Sequence, residues 1–427
     1  MAFLARRGAI GAIGARGISI LASFMLTFVV ARFLAVEQAG TFFLVFTSLA
    51  IAATFGRFGT DNLALKLVGG ASSDVRRDAR WLLLVATAAS VLAVAVGALA
   101  LNVFGVAFLG AGTATIVVAA SAVIPQSLAV LAGALLRARG HLVVGTFAEL
   151  GSLPTLATIG IVASTAVGEV TLAVALYCLA AASWVTAIWA VGAALMSLRR
   201  VSHAREPRHS FSQFIVLYLK QLAPMMGTSL IFYVVTWVPI FVLTAVGDLE
   251  AVSFYTVAAR LAGFVGLIPA IQVSYLAPTF ARLYQSGDGE SLNRLAGRSA
   301  TTALAVAALP AAILIAVPGL VLRLLYGEPY EAAAPALLWL TVGVVVTVLA
   351  GQVNQLMLLC DLEKFALLLN IALLVFWAAA GFIAASAWGL IGVVGVSVIV
   401  TVAYQVSAVL RLKAKAGIRS YAHGVRG

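Results

Sequence analysis

Twelve apolar runs, each longer than 20 residues, follow one another along this chain. They lie near residues 10–34, 41–68, 81–104, 113–136, 142–164, 170–197, 214–246, 251–281, 299–325, 334–359, 365–385 and 388–410. A run of that length, wound as a helix, crosses the hydrocarbon core of a bilayer. Of the 427 residues, 63% are hydrophobic and 10% charged, and the mean hydropathy is +1.11. A soluble fold has too little interior to hide that much apolar surface. The chain therefore reads as an all-α polytopic membrane protein with twelve transmembrane helices. Its first run follows Arg6 and Arg7 and is too long for a cleaved signal peptide.

Orientation follows from the basic residues. The N-terminus, the even-numbered connections and the C-terminal tail hold 20 of the 27 Lys and Arg. Clusters stand at Arg76, Arg77, Arg80; at Arg137, Arg139; at Arg199, Arg200, Arg205, Arg208; and at Arg411, Lys413, Lys415. The odd-numbered connections carry Arg32 and Arg323 against six acids: Glu37, Glu169, Asp248, Glu250, Glu328 and Glu331. Both termini are expected in the cytoplasm. The net charge of +12 is largely this topology signal, so it calls for no nucleic-acid partner. Cys178 and Cys360 both fall in apolar runs, which implies no disulfide framework. The four histidines are scattered through basic segments without metal-ligand spacing, and nothing points to a metal or a cofactor.

The longest connection, Arg199 to Gln213, divides the runs six and six. The expected organisation is a lobe at 1–198, a basic cytoplasmic linker at 199–213, and a second lobe at 214–427 with a short basic tail. Six crossings is an even number, so both halves enter the membrane from the same side. Such a repeat is related by a pseudo-two-fold axis along the membrane normal. A weak echo supports it: AVEQAGTFFLVFTSLA after run one resembles DLEAVSFYTVAARLA after run seven. Rocking of the two halves about a central cavity is the expected motion.

The chemistry gathers in the stretch from Ala31 to Gly70. A short charged corner, Arg32 to Glu37, is closed by Gly40, and an apolar run then extends from Thr41 to Gly56. Arg57, Asp61, Asn62 and Lys66 follow inside the same span. Arg57 lies roughly 24 Å along this helix from Thr41. Charges at such depth usually face a bundle interior or a watery cavity. Arg57 and Asp61 are four apart and can also simply pair. Lys66 is placed to snorkel to the interface. Arg16 and Lys220 stand near cytoplasmic helix ends, where snorkelling and cavity lining are both open. Arg260, about ten residues into run eight, is too deep for easy escape. Glu149 can take a proton or neutralise an arginine, and the second reading is preferred. Gln126, Gln272, Gln352 and Asn354 can bind sugar hydroxyls or, more commonly, link helices. Pro125, Pro154, Pro224, Pro239, Pro269, Pro310 and Pro318 are expected to kink their helices.

ARFLAVEQAGTF resembles the corner after the first helix of the polysaccharide-biosynthesis flippases, of the multidrug/oligosaccharidyl-lipid/polysaccharide (MOP) exporter superfamily. Arg32, Leu34, Glu37, Gly40 and Phe42 match that pattern, and Gly56, Gly59, Asn62 and Lys66 are similar to the glycine-rich polar end of the second helix. LAPTFARLYQSGD, Leu276 to Asp288, and LRLLYGEPYEAAAPALLWL, Leu322 to Leu340, resemble the helix-eight exit and the helix-nine corner. The resemblance covers nearly the whole chain and rests on the order and spacing of the motifs together. It implies a Wzx-type flippase in the inner membrane of a bacterium. The implied substrate is an oligosaccharide on undecaprenyl diphosphate, carried to the outer leaflet for O-antigen, capsule or exopolysaccharide synthesis. A polysaccharide polymerase and chain-length proteins are implied partners, beside membrane lipids. No bond is made or broken, so no enzymatic residue is expected.

The residues suit that substrate. Arg16, Arg57, Lys66, Lys220 and Arg260 outnumber Asp61 and Glu149 within the membrane. Guanidinium groups grip phosphate oxygens in pairs. Arg57, Arg260, Arg16 and Lys220 are therefore the expected diphosphate contacts, with Asp61, Asn62, Glu149 and Gln272 lining the cavity or balancing charge. A cation-coupled drug exporter of the same superfamily is the alternative. It calls for acids in or near run one, and residues 10–34 hold none. A membrane glycosyltransferase or polymerase calls for a sizeable outer loop with carboxylates or histidines, and the outer connections here are short.

Overall fold

A backbone in hydrocarbon has no water to bond to, so each apolar run must satisfy its own amides by winding into a helix. The structure, a computed structural model, describes residues 2–69, 75–104, 113–199, 211–360, 362–418 and 420–422. Among them there are helices and turns and no strand. The core of the expected linker, residues 200–210, lies outside the described residues. The chain forms two compact units, residues 1–234 and 235–427.

The first unit contains α1 (Ala2–Phe33), α2 (Val36–Arg57), α3 (Thr60–Gly69), α4 (Val75–Phe104), α5 (Thr113–Ser121), α6 (Val123–Ala138), α7 (Leu142–Thr146), α8 (Ser152–Ser164) and α9 (Leu172–Arg199). Helix α10 (Phe211–Ala245) begins in it and ends in the second unit. The second unit continues with α11 (Leu249–Gly263), α12 (Leu267–Gln285), α13 (Gly289–Ala316), α14 (Pro318–Tyr326), α15 (Ala334–Ala350), α16 (Val353–Leu359) and α17 (Glu363–Ala416). Nine helical segments among the described residues are long and apolar enough to cross a membrane. The last of them, 53 residues long, breaks at Gly389 and occupies the place of runs eleven and twelve. Gly389 has φ 55 and ψ −135, a combination open essentially to glycine alone. Helix α10 stands where run seven was expected, and α11 with α12 where run eight was.

Several helix breaks are written in the prolines. Proline lacks an amide hydrogen and its ring crowds the carbonyl four residues back. The turn at Ala122 precedes Pro125, the π-helical turn Phe147–Gly151 precedes Pro154, and the 3-10 turn Phe264–Gly266 precedes Pro269. Pro318 opens α14 at its first position, where the missing donor costs nothing. Pro310 is carried inside α13.

Run two differs from expectation at both ends. Its helix begins at Val36, so the corner is tighter than a turn closed at Gly40, which is helical and buried. It also stops at Arg57 and restarts at Thr60 rather than running to residue 68.

Each unit packs around one helix. In the first, α6 touches α2, α3, α4, α7 and α9. In the second, α15 touches α11, α13, α14 and α17. Small residues permit the close approaches. A Cβ added at Gly56 would meet the Ser90 and Ser127 hydroxyls at 2.5 and 2.6 Å, so α2 lies almost backbone-close to α4 and α6. The Ser127 hydroxyl fills this contact by donating to the Ala53 carbonyl at 3.0 Å. An apolar cluster of the first unit joins Leu63, Leu82, Leu131, Leu135, Leu198 and Phe214. One in the second joins Phe280, Leu292, Leu356, Met357 and Leu412. The outer faces stay apolar: Ile188 is 70% and Leu309 70% exposed, as lipid-facing residues are.

Candidate functional site

Arg57 occupies the last turn of α2, and its side chain is buried. The helix ends there because Phe58 turns left-handed, at φ 49 and ψ 33, and Gly59 follows at φ 75. Gly59 is needed twice over. A Cβ on it would be strained by that φ and would lie 2.7 Å from the Leu222 carbonyl. The break leaves carbonyls at the C-terminal end of α2 without helical partners. Thr60 restores one by donating its hydroxyl to the Arg57 carbonyl at 2.6 Å. The cation itself benefits from the negative end of the helix dipole. Its Nη2 donates to the Thr54 hydroxyl at 2.9 Å, and its Nε is 3.6 Å from Asp61 Oδ2. The expected Arg57–Asp61 pair is therefore present, but it bridges a helix break rather than running down one helix.

A second pair stands close by. Arg137 Nη2 meets Glu149 Oε2 at 2.7 Å, with side chains 29% and 19% exposed. Two glycines make the meeting possible: a Cβ on Gly133 would touch the Gly145 carbonyl at 2.7 Å, and one on Gly145 the Gly133 carbonyl at 2.6 Å. The α6–α7 hairpin thus brings its two backbones together, and the π-helical turn carries Glu149 toward Arg137. Electrostatically, Glu149 feels Arg137, Arg57 and Arg16 as attractive charges and Asp61 as a repulsive one. Four of the eight sequence-nominated residues, Arg16, Arg57, Asp61 and Glu149, are therefore gathered in one charge cluster of the first unit. Arg137 belongs to it too. Its place in a basic connection had marked it only as a topology signal. Arg16 is exposed on α1, and Asn62 is exposed on α3.

The remaining nominees lie elsewhere. Lys220 is exposed on α10. Lys66 is also exposed, and its ammonium donates to Gln221 Oε1 at 2.8 Å. In the second unit, Arg260 sits half-buried in the last turn of α11, just before the 3-10 turn. Its guanidinium is 5.8 Å from the centre of the Trp237 ring. The Tyr326 hydroxyl is within its electrostatic reach, and the Tyr326 and Tyr330 rings are 5.6 Å apart. Tyr330 and Ser253 share a hydrogen bond of 2.9 Å. Among the described residues no carboxylate pairs with Arg260; the Trp237 face lies beside it instead. No sequence spacing could have joined Trp237, Arg260 and Tyr326, which are brought together by packing alone. Gln272 links helices: it donates to the Thr302 hydroxyl at 3.1 Å, and Gln352 donates to the Pro269 carbonyl at 3.0 Å. Asn354 likewise accepts from the Tyr404 hydroxyl at 2.7 Å.

The arrangement presents arginines at the C-terminal ends of two interrupted helices. Broken helices of this kind line ion and substrate sites in transporters. Chemically, the first-unit cluster sets three guanidinium groups, Arg16, Arg57 and Arg137, against two carboxylates, Asp61 and Glu149.

No protein-family model matches the sequence, and no curated protein does. Solved structures share the fold. One described as "Lipid II flippase MurJ, inward closed conformation" superposes with a TM-score of 0.69 at 12% identity, over 95% of this chain and 87% of that one. A multidrug resistance MATE family transporter of the MOP superfamily, in an inward-facing conformation, gives 0.69 at 15% identity, over 96% and 99%. The Vibrio cholerae MATE transporter VcmN gives 0.62 at 13% identity, over 97% and 98%. At these identities the likeness is one of fold. The fold is that of the MOP-superfamily transporters, the superfamily the sequence motifs resemble.

Proposed function

We propose that this protein is a flippase that moves a glycan carried on undecaprenyl diphosphate from the inner to the outer leaflet of a bacterial plasma membrane, for cell-surface polysaccharide synthesis. The observation that carries the reading is Arg57: a buried guanidinium at the end of the membrane-length helix Val36–Arg57, where that helix breaks, paired with Asp61 and acting, like Arg137 and Arg16, on Glu149. Cations held at such depth are costly to bury and mark substrate paths. A diphosphate is the lipid headgroup that a guanidinium fork fits best. The similarity to a structure described as a lipid II flippase supports a lipid-linked substrate. On this reading Arg57 receives the diphosphate with help from Arg16 and Lys220, and Arg260 is a substrate-contacting cation of the second unit taken by itself. Asp61, Asn62, Glu149 and Gln272 set the charge and polarity around them.

Export of cationic drugs is the second reading. It is supported by the equal TM-score, 0.69, of the multidrug MATE structure. The excess of arginine over carboxylate in the first-unit cluster disfavours such cargo.

The test is transport in vesicles containing purified protein. A fluorescent undecaprenyl-diphosphate glycan should cross, and a cationic dye should not. Arg57→Gln should slow glycan flipping at least tenfold, and Arg57→Lys should keep part of the rate, because an ammonium lacks the planar fork. Arg260→Ala should abolish flipping while the protein stays inserted and monodisperse. Wild-type flipping by both Arg57→Gln and Arg260→Ala would overturn the site. Dye transport without glycan flipping would establish the second reading.

A further inference from the structure

Away from the charge cluster, an open cavity of about 440 Å³ lies between α4 and α9 of the first unit. Its size is within the range of ordinary small-ligand sites. Its lining changes character along the helix axis. Arg76 and Arg80 line it in the first two turns of α4. Leu83, Leu84 and Thr87 continue the same wall, and α9 supplies Leu195 and Leu198 opposite. The α4 positions recur every three or four residues, so they form one stripe of the helix. From Arg76 to Thr87 that stripe runs roughly 16 Å. The Thr87 hydroxyl donates back to the Leu83 carbonyl at 2.8 Å, which uses its proton within the helix. Below the arginines the wall is therefore apolar. Leu84 is 58% exposed and Leu195 36%, so this wall meets the lipid phase.

The Arg77 guanidinium lies over the Trp81 ring, 4.6 Å from its centre, and Trp81 packs against Phe214 at 5.1 Å. Asp78 acts on Tyr218 of α10 and sits about 200° round the helix from Arg76. Arginines beside a tryptophan at the start of a membrane-crossing helix mark the headgroup level.

We infer that this cavity binds one anionic glycerophospholipid. Arg76 and Arg80 take the headgroup phosphate, and the leucine-lined wall takes the first part of an acyl chain. Charge complementarity selects the occupant. Basic pockets between transmembrane helices at the interface hold anionic headgroups, and a zwitterionic lipid brings a cation of its own into the same space. The site is separate from the proposed transport path and does not depend on it.

Native mass spectrometry of the delipidated full chain, with phosphatidylglycerol and phosphatidylcholine of identical acyl chains, tests this. Phosphatidylglycerol should be retained at least tenfold more strongly and should raise the melting temperature. Arg76→Gln/Arg80→Gln should remove that preference. Leu84→Trp keeps both charges and fills the groove from an exposed position, so it should weaken retention of both lipids without unfolding the protein. Arg298→Gln, an exposed arginine on α13, should change nothing. Equal retention of the two lipids by the wild type, or an undiminished preference in the double variant, would overturn the inference. So would displacement of bound phosphatidylglycerol by soluble glycerol phosphate, which would show that phosphate alone is held. Displacement by undecaprenyl diphosphate would assign the groove to the transported lipid and likewise refute it.

Discussion

Replacing Gly133 by alanine probes the contact that creates the Arg137–Glu149 pair. The added methyl would stand 2.7 Å from the Gly145 carbonyl oxygen, 3.0 Å from Glu149 Cβ and 3.2 Å from Glu149 N. Comfortable carbon contacts lie at about 3.5–4.0 Å, so the α6–α7 hairpin must open by roughly 0.5–1 Å. Overpacking of that kind costs about 1–3 kcal/mol. Alanine also gains up to about 1 kcal/mol over glycine within a helix, which hides part of the clash. Gly97→Ala is the matched control: it lies in α4 with nothing within 4 Å of the new methyl. The difference between the two variants isolates the clash and should be about 1–3 kcal/mol against Gly133→Ala. Unfolding by steric trapping in micelles measures it. Gly145→Ala, whose methyl would meet the Gly133 carbonyl at 2.6 Å, should behave like Gly133→Ala. The double variant should cost less than the sum, because one opening relieves both clashes. If Gly133→Ala and Gly97→Ala agree within about 0.5 kcal/mol, the backbones are not in contact and the reasoning fails.

A double-mutant cycle with Arg137→Gln and Glu149→Gln should show coupling of about 1–3 kcal/mol, between the values for exposed and buried pairs, since these side chains are 29% and 19% exposed; coupling near zero would make the 2.7 Å contact energetically idle. Asp288 caps α13 by accepting from the Ser291 amide at 3.0 Å, and hydrogen bonds from Ser291 hold its carboxyl below the usual range. A depressed carboxyl contributes stability above its unfolded value and loses it as pH falls through the folded one, so Asp288→Asn should flatten the melting curve below about pH 4, and an unchanged acid limb would count against the cap. Cysteines introduced at Ser202 and Gly247, with Cys178 and Cys360 replaced, should label from opposite sides of the membrane; same-side labelling would refute the twelve-span topology.

The helices were legible because apolar length alone specifies them, and three of the breaks because proline disrupts the turn before it. Charge pairing was legible only at short range. Arg57 and Asp61 are four apart, and their contact at 3.6 Å survives the interruption at Phe58 and Gly59, with the helix restarting at Thr60. The interruption itself had weak signs in Gly56 and Gly59, since phenylalanine at positive φ is not something a sequence announces. By sequence Glu149 reads as an arginine's counter-charge; its partner is Arg137, which sits in a connection by sequence and is reached across Gly133 and Gly145. The depth of Arg260 in run eight suggests a cavity-facing cation. Its aromatic surroundings come from residues 23 and 66 positions away, which no local pattern links. Gln272 illustrates the reverse: a buried amide in a bundle more often ties helices together than awaits a ligand, and its bond to Thr302 is of that kind.

The two units share a neighbour pattern that their sequences barely show. Counting runs within each half, the fourth is the hub in both, as α6 and α15. The second run packs on the fourth in both, as α2 on α6 and α11 on α15, and the third on the fourth, as α4 on α6 and α13 on α15. Helix α2 begins with Glu37 as its second residue, and α11 begins with Glu250 as its second. Those acids give the two helices a common origin. Measured from it, Arg57 lies 20 residues on and Arg260 only 10, or roughly 30 and 15 Å along the respective helices. The arginines are thus unlike positions of like helices. Each nevertheless occupies the last turn before its helix breaks, where the carbonyl ends stabilise a cation. What a parallel repeat would preserve is therefore the device, a cation held at the end of an interrupted helix, and the depth of the charge would be set separately in each unit by where the break falls.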